Sequence, residues 1–174
     1  MRSLLFATSL ILASPVLAAA PARAEEPVSI GIFGNWEAVT FKEQGKQGCY
    51  ITSVPAKKEG NYTSRDKTYA LVTHRPADKT FDVVTVVGGY SDKEDSVVTV
   101  KIGTQTFSLF TNKDAAWAQD DDTDKKLVQA MIKGQGMVVQ GTSTRGTETT
   151  DTYSLSGFTK AYQAIGKACA VPAP

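Results

Sequence analysis

Phe81-Asp82-Val83-Val84-Thr85-Val86-Val87 is the stretch that decides the fold. It is rich in β-branched residues, which fit a pleated, packed surface. Gly88-Gly89 ends it. Phe81, Val83 and Val87 point one way, and Val84 and Val86 the other. Apolar residues on both faces predict a central strand covered on both sides. Residues 97–102 alternate more cleanly, with Val98, Val100 and Ile102 set against Val97, Thr99 and Lys101. That is a half-buried strand. Gly103-Thr104-Gln105 then reads as a hairpin turn into Phe107-Ser108-Leu109-Phe110.

Outward from this centre the pattern repeats. Trp36-Glu37-Ala38-Val39-Thr40-Phe41 reads as a strand, and residues 44–48 as a polar turn with two glycines. Residues 49–54 form the next strand, stopped by Pro55, and residues 69–75 another, stopped by Pro76. Residues 56–67 are polar and loop-like. Residues 137–140 and 147–155 complete the strands. Two short helices interrupt them. One covers 125–133, with Leu127, Val128 and Met131 on one face, Thr123 or Asp124 as N-cap, and Gly134 in the C′ place. The other covers 158–169, where Phe158, Ala161, Tyr162 and Ile165 form an i, i+3, i+4, i+7 stripe. Many short strands with two small helices predict an antiparallel β-sandwich, with a small closed barrel as the alternative.

The first 24 residues read as a signal peptide. Arg2 supplies the positive start, an apolar run follows from Leu4 to Leu17, and Ala22-Arg23-Ala24 supplies a small-x-small cleavage site. The segment is too short for a membrane span, and no later segment is long and apolar enough to be one. Residues 25–174 are then a single exported domain. Cys49 and Cys169, the only cysteines, are expected to pair in an oxidising compartment. Their bond closes a loop of about 120 residues, worth roughly 4–5 kcal/mol in the chain-entropy model. Loss of Arg2 and Arg23 leaves 17 basic residues against 18 acidic ones. No clustered basic face suggests nucleic acid.

The candidate chemistry is sparse. Asp120-Asp121-Asp122-Thr123-Asp124 invites a calcium reading, but an EF-hand loop from Asp120 needs glycine at its sixth place and glutamate at its twelfth. Lys125 and Met131 stand there. Acidic residues at a helix start are favoured by the helix dipole, so the run reads as capping and solvation. His74 is the only histidine, and both cysteines are committed, so no zinc set exists. Its place in 69–75 reads as a strand-end side chain. Gly141-Thr142-Ser143-Thr144-Arg145-Gly146 has the spacing of a G-x-S-x-G elbow, which needs a strand–serine–helix transition. A threonine-rich strand follows instead, so a hairpin turn explains the glycines. Trp36 reads as core. Trp117, in a glycine-free loop, reads as a lid over one end of the sandwich. Together with Asp120, Asp121, Asp122 and Arg145 it makes the candidate binding surface.

The C-terminal half resembles the invasion-associated locus B family of exported bacterial proteins. The matching stretches are Ile102-Gly103 with Phe107-Ser108-Leu109-Phe110-Thr111, Asp114-Ala115-Ala116-Trp117, and Asp124 with Leu127-Val128-Gln129-Ala130-Met131. Gly134 with Met137-Val138-Val139 follows. The longest is Gly141 to Thr147, then Asp151-Thr152-Tyr153-Ser154-Leu155-Ser156-Gly157-Phe158, ending at Ala164-Ile165 and Cys169. Phe33-Gly34-Asn35-Trp36 is similar to the family's opening. The resemblance implies an immunoglobulin-like β-sandwich, periplasmic or secreted, tied to host-cell invasion in pathogenic members and without an established catalytic site. Some members carry an extra cysteine soon after the opening tryptophan. Residues 37–47 hold none here, which excludes a second disulfide. The expected function is non-enzymatic protein binding, without cofactor or metal, to a partner in the envelope or on a host cell. The rival reading is a small periplasmic hydrolase using a carboxylate pair.

Overall fold

The computed structural model describes residues 25–171; the signal-peptide reading of 1–24 and the last three residues of the proline-rich tail lie outside it. The strands are β1 (Val28–Phe33), β2 (Trp36–Glu43), β3 (Lys46–Ser53), β4 (Lys57–Gly60), β5 (Tyr69–Arg75), β6 (Thr80–Val87), β7 (Val97–Ile102), β8 (Gln105–Asn112) and β9 (Ala115–Trp117). Helix α1 (Asp121–Lys133) follows, then β10 (Gly136–Thr142), β11 (Glu148–Ser154) and helix α2 (Phe158–Ala168).

The eleven strands among the described residues join in one antiparallel sheet, in the order β1-β2-β3-β5-β6-β9-β8-β7-β10-β11-β4. Chain length dictates its shape. Only Val54-Pro55-Ala56 separate β3 from β4, and four residue steps reach at most about 14 Å. In a flat sheet, eight strand spacings would set β3 and β4 about 38 Å apart. The sheet therefore folds over itself, and its two halves form the two layers expected of a sandwich. Contacts between the layers agree. Trp36 Nε1 donates to the Ser154 carbonyl at 2.9 Å, and Asn35 N to the Ser156 carbonyl at 3.0 Å. The closed barrel is not formed, because β1 and β4 each have one sheet neighbour.

The strands between the two edges turn residues to a common interior. Val98, Val100 and Ile102 are buried in β7, and Val84 and Val86 in β6, while Phe81 and Val83 on the other face of β6 are only half-buried. The helices complete the core. The α2 stripe of Phe158, Ala161, Tyr162 and Ile165 is buried against β1, β2 and β3. The Trp36 ring meets Phe158 edge-on at 4.9 Å. Gly157 starts α2 with φ 88, and a side chain there would collide with the Phe33 carbonyl. Cys49 and Cys169 form the disulfide, with Cα atoms 6.2 Å apart, and tie the end of α2 to β3.

Several local expectations are corrected. The polar turn is shorter, since Lys46, Gln47 and Gly48 belong to β3. The polar segment 56–67 contains β4, and the supposed loop around Trp117 contains β9. Gly134 does follow α1, but in an extended conformation (φ −81, ψ 162) rather than a left-handed cap.

Candidate functional site

The acidic residues gather at the start of α1. Asp120 is the N-cap, its Oδ1 accepting from Thr123 N at 2.7 Å, which displaces both Thr123 and Asp124 from that role. That bond holds the Asp120 carboxyl below its usual range. Asp121 and Asp122 are exposed in the first turn, where the helix dipole favours them. Among the described residues, no group of three or more acidic, histidine or cysteine side chains is placed to hold a metal. Trp117 sits nearby in β9. It faces outward opposite Phe110, with ring centres 5.9 Å apart, and so does not cover the interior as a lid would. Arg145 stands apart on the β10–β11 turn.

Asp124 has a structural role. Strand β9 pairs only with Thr85, Val86 and Val87, so it leaves the Val84 amide without a strand partner. Asp124 Oδ1 accepts from it at 2.9 Å. Burial, opposed by that bond and aided by the neighbouring Asp121, Asp82 and Asp120, lifts Asp124 to about 6. Spacing could have revealed this, because Asp124 shares the face of Leu127, Val128 and Met131.

His74 is the penultimate residue of β5, the strand-end place expected of it. It is fully buried, beside Cys49 in the β3–β5 register and edge-on to Tyr162 at 5.4 Å. Its Nδ1 accepts from Asp82 N at 3.1 Å, and burial lowers its pKa. Tyr162 donates to Asp82 Oδ1 at 2.5 Å, and burial raises its phenol. The chain's one imidazole is therefore neutral and sealed in the core.

Arg145 belongs to a polar depression, of about 520 Å³, formed by the β4–β5 segment, the turn after β6 and the β10–β11 turn. Its base is a buried pin that the sequence reading missed. The Arg65 side chain is 3% exposed. It donates to both carboxylate oxygens of Asp151, at 2.8 and 2.6 Å, and to the Gly88 carbonyl. Tyr62 and Tyr90 flank the guanidinium, at 5.0 and 5.2 Å. Tyr90 shares a 2.6 Å hydrogen bond with Thr149. Close by in sequence, Asp92 is buried and does not line the depression. Burial, with the Asp114 charge adding, lifts its carboxyl to about 6.

The two sheet edges differ. Strand β1 is an open edge with Val28 60%, Ile30 40% and Ile32 75% exposed, and residues 27–35 carry no charge. Strand β4, the other edge, reads Lys57-Lys58-Glu59-Gly60 and is exposed throughout.

A family model described as "Invasion associated locus B (IalB) protein" matches residues 36–166. The crystal structure of invasion associated protein b from Bartonella henselae is similar, with a TM-score of 0.57 at 16% identity. The match covers 81% of this chain and 96% of that one. At this identity the likeness speaks for the fold. No curated protein matches the chain.

Proposed function

Since the chain belongs to the invasion associated locus B family, we propose that it is an exported, non-enzymatic protein that binds another polypeptide along β1. It comprises a cleaved leader over 1–24 and one domain over 25–174, and it works in the periplasm or outside the cell, with a partner in the envelope or on a host cell. The observation that carries this reading is the contrast of the two edges. An open edge offers a row of unpaired amides and carbonyls, and natural sheets usually blunt it with charge or proline. Strand β4 is blunted by charge, whereas β1 carries none and is interrupted only by the shift between Ser29 and Gly31, just after Pro27. The partner is a neutral extended segment added as a further strand, main chain giving affinity and apolar side chains covering Ile30 and Ile32. Binding is favoured over catalysis because the imidazole and both thiols are withdrawn from the surface. The rival hydrolase needs a carboxylate pair, and Asp92, a carboxyl raised by burial with Asp114 adding, is buried away from the depression.

The test places a photo-crosslinker at Ile32 or at Glu59 in the mature protein, exposed to envelope extract. The expected result is a crosslink from position 32 that maps to an extended segment of a foreign polypeptide and is lost on Ile30→Lys. Equal capture at position 59, no capture at 32, or capture only of a second copy of this chain would overturn the reading.

A further inference from the structure

The polar depression holding Arg145 is separate from the β1 edge and is built before any ligand arrives. Arg65 spends its charge on Asp151 and most of its donors on Asp151 and the Gly88 carbonyl. What it contributes is position, since the guanidinium lies over the rings of both Tyr62 and Tyr90, at 5.0 and 5.2 Å. Ordering these rings in advance removes much of the entropy cost of binding. The volume of about 520 Å³ falls within the usual range for small-ligand sites.

Its lining points to one class of ligand. Aromatic walls with a rim of hydroxyls suit a flat-faced, polyhydroxylated molecule, because the rings cover its C–H faces while the rim exchanges hydrogen bonds. The exposed hydroxyls of Thr63, Ser64, Ser91 and Thr144 supply that rim. Arg145 is exposed and, among the described residues, makes no ion pair or side-chain hydrogen bond. Among the described lining residues it is the one cation left free, because Arg65 is neutralised; the exposed Asp66 carboxylate also lines the depression. Arginine's planar fork matches a carboxylate or phosphate in two-point fashion. We infer that this depression binds an acidic saccharide, its sugar ring against the tyrosine-lined wall and its anionic group on Arg145.

Such a saccharide could come from a bacterial envelope or a host surface, and the test separates the two. The mature protein, labelled with ¹⁵N, is titrated with a hyaluronan tetrasaccharide, with an N-acetylglucosaminyl–N-acetylmuramic acid disaccharide, and with maltotetraose as a neutral control. The expected result is saturable shifts at the amides of Tyr62, Tyr90, Ser143 and Arg145 with one or both acidic sugars. Arg145→Gln, on an exposed turn and so without effect on folding, should weaken binding at least tenfold while Ile32→Lys leaves it unchanged. The hyaluronan arm marks a host-type ligand and the muramic acid arm an envelope-type one. No shifts with either acidic sugar, equal shifts with maltotetraose, or unchanged affinity in Arg145→Gln would overturn the inference.

Discussion

The two ends of the folded sheet are built from opposite chemistry. The β1 end is apolar. Its edge carries Val28, Ile30 and Ile32, and it is fastened by the buried stripe of α2 and the disulfide to β3. The β4 end is polar. Its edge carries Lys57, Lys58 and Glu59, and it is fastened by the buried Arg65–Asp151 pair. The difference separates two duties of an edge. A charged edge discourages foreign strands, but its short strand buries too little to hold itself, so a polar pin is needed behind it. An apolar edge can stay open to a partner only if its own half is held from the inner side, which α2 and the disulfide do.

The largest effect should come from breaking the polar pin. Arg65→Leu strands the Asp151 carboxylate in a buried place, and losing one partner of a buried pair typically costs about 3–5 kcal/mol. In denaturant unfolding the variant should lose stability in that range. Hydrogen exchange should speed first at Lys57–Gly60 and Glu148–Ser154, with β2 still protected. Replacing Asp151 by Leu as well should recover part of the loss, because no charge is then left unpaired. Equal loss of protection at both ends would break the comparison.

Cys169→Ser attacks the other end and should cost roughly 2–5 kcal/mol, as for other native disulfides of exported domains. Helix α2 has an internal Gly166 and only 11 residues, so it is weak alone. Its amides should exchange first, followed by those of β1, which packs against it. Strands β6, β10 and β11 should stay slow. If they lose protection together with α2, the two ends are one cooperative unit and the contrast is only in composition.

Much of this was legible in the sequence. The period-2 run placed β7 to the residue, the Pro76 stop ended β5 at Arg75, and the apolar stripe of α2 survives intact because strong periodicity needs no tertiary help. The missed strands are the ones that depend on neighbours. Strand β1 carries Gly31 and a register shift between Ser29 and Gly31 that breaks its alternation. Strand β4 has no apolar residue, and the Ala115-Ala116 part of β9 has low strand preference. The depression was half legible. Arg145 was singled out, but Arg65 lay in a polar loop with nothing local to mark it as buried. The clue was on the partner strand, where Thr149, Asp151 and Tyr153 alternate inward. An acid between inward residues demands a cation, and only the fold says which. Trp117 and the three aspartates do share one region, yet Arg145 is elsewhere, because proximity across strands is not written in spacing.

The smallest effect is a matter of pH at the polar end. Asp92 pairs by a single bridge with Ser143 of the β10–β11 turn, and its buried Oδ1 has no hydrogen-bond partner. Its carboxyl is lifted from an ordinary value of 3.8 to about 6 by burial and by Asp114. A raised carboxyl binds its proton more tightly in the folded chain. Its contribution is thus fully present below pH 3.8 and is lost as pH rises through about 6. His74 works the other way: its lowered pKa gives stability that is lost as pH falls below its ordinary value of 6.5. Whole-protein profiles mix the two, and Asp124 adds to the first. Asp92→Asn isolates one group, because the difference between variant and parent cancels the others. The amide fits the same space and never ionises, so the variant should be more stable at pH 7 by on the order of 1–2 kcal/mol, with the gain fading toward pH 4. Thermal unfolding of both proteins at pH 4, 5, 6 and 7 checks it. A constant difference across that range would mean that Asp92 is not titrating there. A loss at pH 7 would mean that its ionised form has a partner, and that the polar end is better satisfied than the unpartnered oxygen implies.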